Sequence, residues 1–312
     1  MSASANSGPA NPAGLLVRAM PVVFVLIWST GFIVAKFGLP YAPPLRFLSL
    51  RYLLSIGCFL VWIRISRARW PTAPRQWLHL AATGVLMHAG YLGGVWVAVK
   101  GGMGSGLVAL VVGLQPVITA LWLAWAAMPG NAGHADGRPA LVTLRQWIGL
   151  ALGLSGLLLV VARKFGSGSE VTTLTLGCAV FALISITVGT LYQKHFVQPT
   201  DVRTANAVQL VAALLVTLPL AWFETEAIAW NGEFIGAMAW SVLALTLGGS
   251  SLLYLLIQRG AATAVTSLLY LVPPTTALMA WLLFGEAITA ATVAGTLLTA
   301  IGVSLVVRPA KP

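Results

Sequence analysis

The chain has 312 residues, 58% of them hydrophobic and only 8% charged, with a net charge of +11 and a mean hydropathy of +0.90. Soluble domains carry roughly 25% charged residues, so this composition excludes a soluble globular protein and specifies one that lives in a membrane. The basic surplus has to be judged by where it falls, not by its total.

In chain order, residues 1–17 lack a basic start and are too polar for a signal peptide, and they read as a disordered cytoplasmic tail. Ten mainly apolar segments follow, each near the length needed to cross about 30 Å of hydrocarbon. They lie at 20–38, 44–63, 77–98, 105–127, 146–162, 173–193, 204–223, 235–257, 263–284 and 288–307. Span one carries Trp28, Ser29 and Thr30. Arg51 lies about eight residues into span two, where it could snorkel outward, pair with backbone carbonyls or meet an anionic solute. On span three His88 and Tyr91 are one turn apart, with Trp96 further along; His88 is either a packed, hydrogen-bonded histidine or a coupling group.

Span four contains "GLQPVITA", with Gln115 and Pro116 in the middle of an apolar run and the small residues Gly106, Ala109 and Gly113 at helical spacing before them. A proline there removes a backbone donor and kinks the helix, while the small face suits close helix packing. Span six presents Ser185, Gly189 and Tyr192 on one face, and span eight presents Ser251, Tyr254 and Gln258. Span nine repeats the proline as Pro274, at the end of a polar stripe of Thr263, Ser267 and Tyr270. Gly149, Gly153 and Gly156 on span five, and Gly295 and Gly302 on span ten, read as a packing seam. Glu286, between spans nine and ten, is expected to cap the last helix.

With a cytoplasmic N-terminus, 12 of the 18 basic residues fall on inside loops, while Glu224, Glu226 and Glu233 share one outside loop. The positive-inside rule then places both termini in the cytoplasm and accounts for the basic charge without nucleic acid. Trp62, Trp70, Trp77, Trp147, Trp222 and Trp230 sit near span ends as interfacial anchors. Cys58 and Cys178 lie inside spans with no C-x-x-C partner, so no disulfide, metal site or cofactor is indicated.

The chain is written twice. A shift of 158 residues superposes Gly31 on Gly189, Lys36 on Lys194, Gly90 on Gly248, Gly102 on Gly260 and Pro116 on Pro274, and the last spans of the halves match at a shift of 146. Residues 18–163 and 164–312 thus form two five-span repeats, and an odd number of spans inverts the second copy. Inverted repeats supply two conformations of similar energy around a midplane site, as alternating access requires. The polar and aromatic groups then select a cavity of Trp28, His88, Tyr91, Trp96, Gln115, Ser185, Tyr192, Tyr254, Thr263, Ser267 and Tyr270, gated at Pro116 and Pro274.

The ten spans, "LRFLSLRYLLS" on span two, "GLQPVITALWLAW", "LVPPTTALMAWLLFGEAIT" and the final "AGTLLTAIGVSLVV" together resemble the drug/metabolite transporter superfamily, EamA type. That resemblance implies an all-α, ten-helix exporter of amino acids or similar metabolites in the bacterial inner membrane. Its cavity would lie between spans one, three, four, six, eight and nine. Expected partners are a small-molecule metabolite and membrane lipid, and a homodimer is compatible with the chain. No Asp or Glu lies deep in a span, so facilitated export fits better than carboxylate-based ion coupling, with proton antiport through His88 left open. The competing readings are efflux of hydrophobic cations by proton antiport and a membrane enzyme on lipid-linked substrates. The second lacks H-E-x-x-H, G-x-S-x-G and paired carboxylates.

Overall fold

Prolines and polar caps set the helix ends. The structure, a computed structural model, describes residues 12–126, 144–164, 171–258 and 271–307. Helix α1 is Pro12–Gly38 and α2 is Pro44–Ser66, whose start is fixed by Pro44 and whose end turns through Arg67 at φ 51°. Helix α3 comprises Pro74–Gly84 and Tyr91–Lys100, joined by a π-helical segment, Val85–Gly90. Helix α4 is divided into Ser105–Val112 and Gln115–Ala126; α5 is Leu144–Lys164; α6, Thr173–Phe196, begins with a capping box of Thr172 and Thr175. Asp201 caps α7 (Val202–Ala221), and Asn231 caps α8, which runs through Gly232–Trp240, a second π segment Ser241–Ser250, and Ser251–Gln258. Helix α9 is Val272–Phe284, closed by Gly285 at φ 65°, and α10 is Ala290–Val307.

Among the described residues there is no strand. Five helices are long and apolar enough to cross a membrane, and five shorter apolar helices occupy the remaining expected positions. Large apolar side chains such as Val61, Leu215 and Leu282 are exposed on the outside of the bundle, the pattern of a surface meant for hydrocarbon and not for water.

The packing has a two-fold pattern. Helix α2 packs on α7, α4 on α9 and α5 on α10, while α1 lies against α8 and α9 as α6 lies against α3 and α4. Exchanging the first five helices for the last five maps this set of neighbours onto itself. The α5–α10 seam is built from glycines, since a Cβ on Gly156 would sit 2.5 Å from the Gly295 carbonyl oxygen. Small residues let backbones approach this closely where lipid supplies no hydrophobic drive to pack.

The π segments are a feature that the sequence patterning missed. The 158-residue shift carries Val85 to Leu243 and Gly90 to Gly248, so the wide turns occupy matching places in the two halves. A π turn leaves carbonyls short of their usual donors. Hydroxyls fill that need: Tyr52 donates to the His88 carbonyl at 2.8 Å, and Thr246 donates to the Ser241 carbonyl at 2.9 Å.

Two expectations are corrected. Pro116 does not kink a continuous helix: α4 breaks at Gly113 and Leu114, and Pro116 is the second residue of the new segment, where a missing N–H loses no helical bond. Pro274 likewise lies in the first turn of α9. Glu286 does not cap α10, whose first turn is capped by Thr289 accepting from the Thr292 amide at 3.1 Å. Instead its carboxylate pairs with Lys36 at 2.6 Å and accepts from the Ser105 amide at the start of α4.

Candidate functional site

Helices α1, α2, α3, α6, α7 and α8 line a partly open cavity whose empty space, open solvent included, is about 650 Å³. Its walls are Trp28 and Phe32 from α1, Tyr91, Val95 and Trp96 from α3, and Leu245 and Leu253 from α8. Trp28 and Tyr91 lie parallel, 3° apart with ring centroids at 6.1 Å, and Trp96 is held by Phe47 behind it at 4.3 Å. Polar groups share the lining: Arg51 of α2, His88 of the first π segment, Gln193 of α6, and Asn206 and Gln209 of α7. The cavity runs from Trp96 to Gln193 and Tyr254, close to the last turns of α6 and α8.

Of the residues selected from sequence, Trp28, His88, Tyr91, Trp96 and Tyr254 line this space. Three lie elsewhere. Gln115 is buried and donates to Thr190 at 3.1 Å, tying α4 to α6. Ser185 packs against Gly90, where a Cβ would sit 2.8 Å from its hydroxyl, so it permits the α3–α6 approach. The Tyr192 hydroxyl meets Nδ1 of His79 at 2.9 Å. Thr263, Ser267 and Tyr270 fall outside the described residues.

Arg51, Gln193, Asn206, Gln209 and Ser250 also line the cavity; of these the sequence patterning weighed only Arg51, as a residue that could meet an anionic solute. A signal was available for two. Arg51 and Gln209 are partners under the 158-residue shift, and the structure brings both to one cavity. Arg51 does not snorkel: it is 4% exposed and donates from Nε to Thr246 at 2.9 Å.

The end of the bundle where α1 finishes is closed by carboxylates. Glu224 accepts from the Leu45 and Arg46 amides at 2.9 and 2.8 Å, holding the first turn of α2. Glu226 pairs with Lys100 at 2.6 Å, Glu233 accepts from the Tyr41 hydroxyl, and Glu286 pairs with Lys36. The Glu233 contact raises the Tyr41 pKa above that of an ordinary phenol. Each of these four contacts joins the first half of the chain to the second. At the opposite end the halves are joined by neutral bonds, Gln76 to the Gln198 carbonyl and to Thr200, both at 2.9 Å, while Gln258 bonds the Thr200 carbonyl at 2.7 Å within the second half.

A family model described as the EamA-like transporter family matches residues 6–127 and again 173–308, one match to each half. The chain belongs to the EamA-like transporter family. It is 26% identical over 295 residues to the uncharacterized transporter YvbV of Bacillus subtilis, covering 92% of this chain and 90% of that one. It is likewise 26% identical over 266 residues to the uncharacterized inner membrane transporter YedA of Escherichia coli K12, covering 84% and 80%. A probable amino-acid metabolite efflux pump of Salmonella typhimurium is 24% identical over 293 residues, covering 91% and 92%. A solved crystal structure with 16% identity superposes with a TM-score of 0.61 over 95% of this chain and 96% of its own, which supports the same fold. The protein is therefore a membrane transporter of the EamA-like family.

Proposed function

We propose that this EamA-like transporter exports small amphipathic metabolites, amino acids foremost, by alternating access through the cavity between α1, α3 and α8. The observation that carries the reading is the cavity's mixed lining, in which the stacked aromatic pair Trp28 and Tyr91 occurs together with the polar groups Arg51, His88 and Gln209. Sites for small organic ligands have this mix of apolar surface and few orienting polar groups. The name of the Salmonella relative points to the same cargo class. Efflux of hydrophobic cations is disfavoured, because the cavity presents a guanidinium and no carboxylate lines it among the described residues.

In this reading the carboxylate-latched end faces outward and both termini lie in the cytoplasm of a bacterial cell, with the inner membrane's lipid against the exposed apolar belt. Residues 18–163 and 164–312 are the two bodies that rock. The break at Gly113 and Leu114 and the start of α9 are the hinges, beside Pro116 and Pro274. The test is release of preloaded, isotopically labelled amino acids from vesicles holding the purified protein, with and without a pH gradient. Saturable release that Trp28→Ala slows at least tenfold supports the reading. No amino-acid release across the panel sinks it.

A further inference from the structure

We propose that Arg51 is the anion-binding residue of the cavity and holds the carboxylate of the transported solute, so that the carrier selects cargo by its carboxylate and not by an amino group. The proposal rests on the cavity being the transport site. Arg51 lies 4% exposed in the interior of α2 and lines the cavity wall. Its Nε is committed to Thr246 at 2.9 Å, and no other hydrogen bond from its side chain is made among the described residues. A guanidinium carries five N–H donors in a planar fork, so the donors of the two terminal nitrogens have no hydrogen-bond partner among the described residues of the cavity that Arg51 lines.

Among the described residues no acidic group pairs with this charge. The described ion pairs are all elsewhere: Lys36 with Glu286, Lys100 with Glu226, and Arg203 with Asp201. The other polar groups that line the cavity, among them Gln209 and His88, carry no negative charge. A buried cation without a counter-charge is held at a large desolvation cost, and an entering anion relieves it. Carboxylate matches the fork geometrically, with two parallel N–H···O bonds that no amine or amide can accept. The Trp28–Tyr91 stack lies on the same cavity and offers a face to an apolar body. An α-amino group meets no acidic partner there, so it adds little to recognition.

The experiment measures binding to the purified full chain by thermal stabilisation. The probes are matched sets of four compounds on aromatic, branched aliphatic and short bodies: the amino acid, its amide, the acid lacking the amine, and the amine lacking the acid. Expected is that both carboxylates of a set bind at least about tenfold tighter than the amide and the amine. Arg51→Gln should erase that preference. Arg51→Lys should retain part of it, since a point charge replaces a fork, and this variant keeps the test decisive if the neutral one does not fold. Equal binding of carboxylate and amide in the wild type overturns the proposal. So does an equal loss for all four in Arg51→Gln, no carboxylate binding in any set, or stabilisation by chloride alone that carboxylates do not extend. If amine-free carboxylates bind through Arg51 while vesicles release no amino acid, the amino-acid reading fails and the anion site stands.

Discussion

Arg51 and Tyr52 are neighbours in α2, yet they attach to different halves of the chain: Arg51 donates to Thr246 in the second π segment at 2.9 Å, and Tyr52 donates to the His88 carbonyl in the first at 2.8 Å. One helix thus holds both wide turns that line the cavity. Tyr52→Phe removes the donor and leaves a buried carbonyl unpaired, at a cost of about 1–3 kcal/mol. The check is thermal unfolding of the purified variant. Thr246→Val should cost a similar amount, and it should also weaken carboxylate binding because Arg51 loses its tether.

The Lys36–Glu286 pair is partly exposed, with side chains 35% and 18% accessible, so solvent screens it. Glu286→Gln should loosen the latched end without unfolding the protein. Met103, 1% exposed beside this latch, is a suitable reporter. A cysteine placed at Met103 should react with a membrane-impermeant thiol reagent about two- to fivefold faster in the Glu286→Gln background, the range for a single exposed ion pair. Unchanged labelling would show that the pair does not hold the end closed. Exchanging the two charges should restore protection only in part, because the Ser105 amide also needs the carboxylate.

The glycine seam of α5 and α10 permits a clean contrast. Gly156→Ala drives a Cβ to 2.5 Å from the Gly295 carbonyl oxygen, whereas Gly57→Ala meets nothing within 4 Å. The first should lower the unfolding temperature and folded yield sharply. Gly57→Ala should be neutral or mildly stabilising, since alanine is the better helix former by about 1 kcal/mol.

The break in α4, the hinge of the proposed cycle, falls at Gly113 and Leu114, ahead of Pro116. A Cβ at Gly113 would lie 2.8 Å from Cγ of Pro273 in the first turn of α9. Pro116→Ala should cost about 1 kcal/mol or less, through the unfolded chain's added freedom. Gly113→Ala should push α4 and α9 apart and slow vesicle transport by a larger factor than Pro116→Ala does. Equal rates for the two variants would return the hinge to the proline.

Asp201 caps α7 and is gripped by Arg203, whose hydrogen bonds hold the carboxyl below the usual aspartate range. A lowered folded pKa means that its stabilisation is complete above the ordinary aspartate value of about 3.9 and fades as pH falls through the lower folded one. Asp201→Ala should therefore be less stable than the wild type by about 1 kcal/mol at neutral pH. The gap should narrow only in strongly acidic buffer, as unfolding curves at several pH values would show.

Hydrophobic periodicity made the helices and their order legible, and the glycines at 149, 156, 295 and 302 announced the α5–α10 seam. The cavity was half legible. Trp28, His88, Tyr91, Trp96 and Tyr254 stood out because large polar-edged rings are unusual within apolar spans. Asn206 and Gln209 did not, because they lie early in α7, where polar residues are ordinary for a helix end. Gln115, Ser185 and Tyr192 misled for the opposite reason: a buried amide or hydroxyl can be satisfied by a neighbouring helix, and only the fold reveals which. The π segments left no periodic trace, since six and ten residues are too few to shift a hydropathy pattern. Pro116 was conspicuous, but a proline at a helix start and one at a kink share the same flanking residues.

The carboxylates that close one end have no counterpart at the other. Among the described residues the far end offers one acid, Asp201, and its partner Arg203 is two residues away on the same helix, so it links nothing across the halves. The neutral amide of Gln76, bonded to Gln198 and Thr200, does that work instead. In the alternating-access cycle proposed above, two near-equivalent halves alone would idle equally in either posture. The four acidic contacts weight the unloaded carrier toward the posture with this end shut, so each opening of it must first break them.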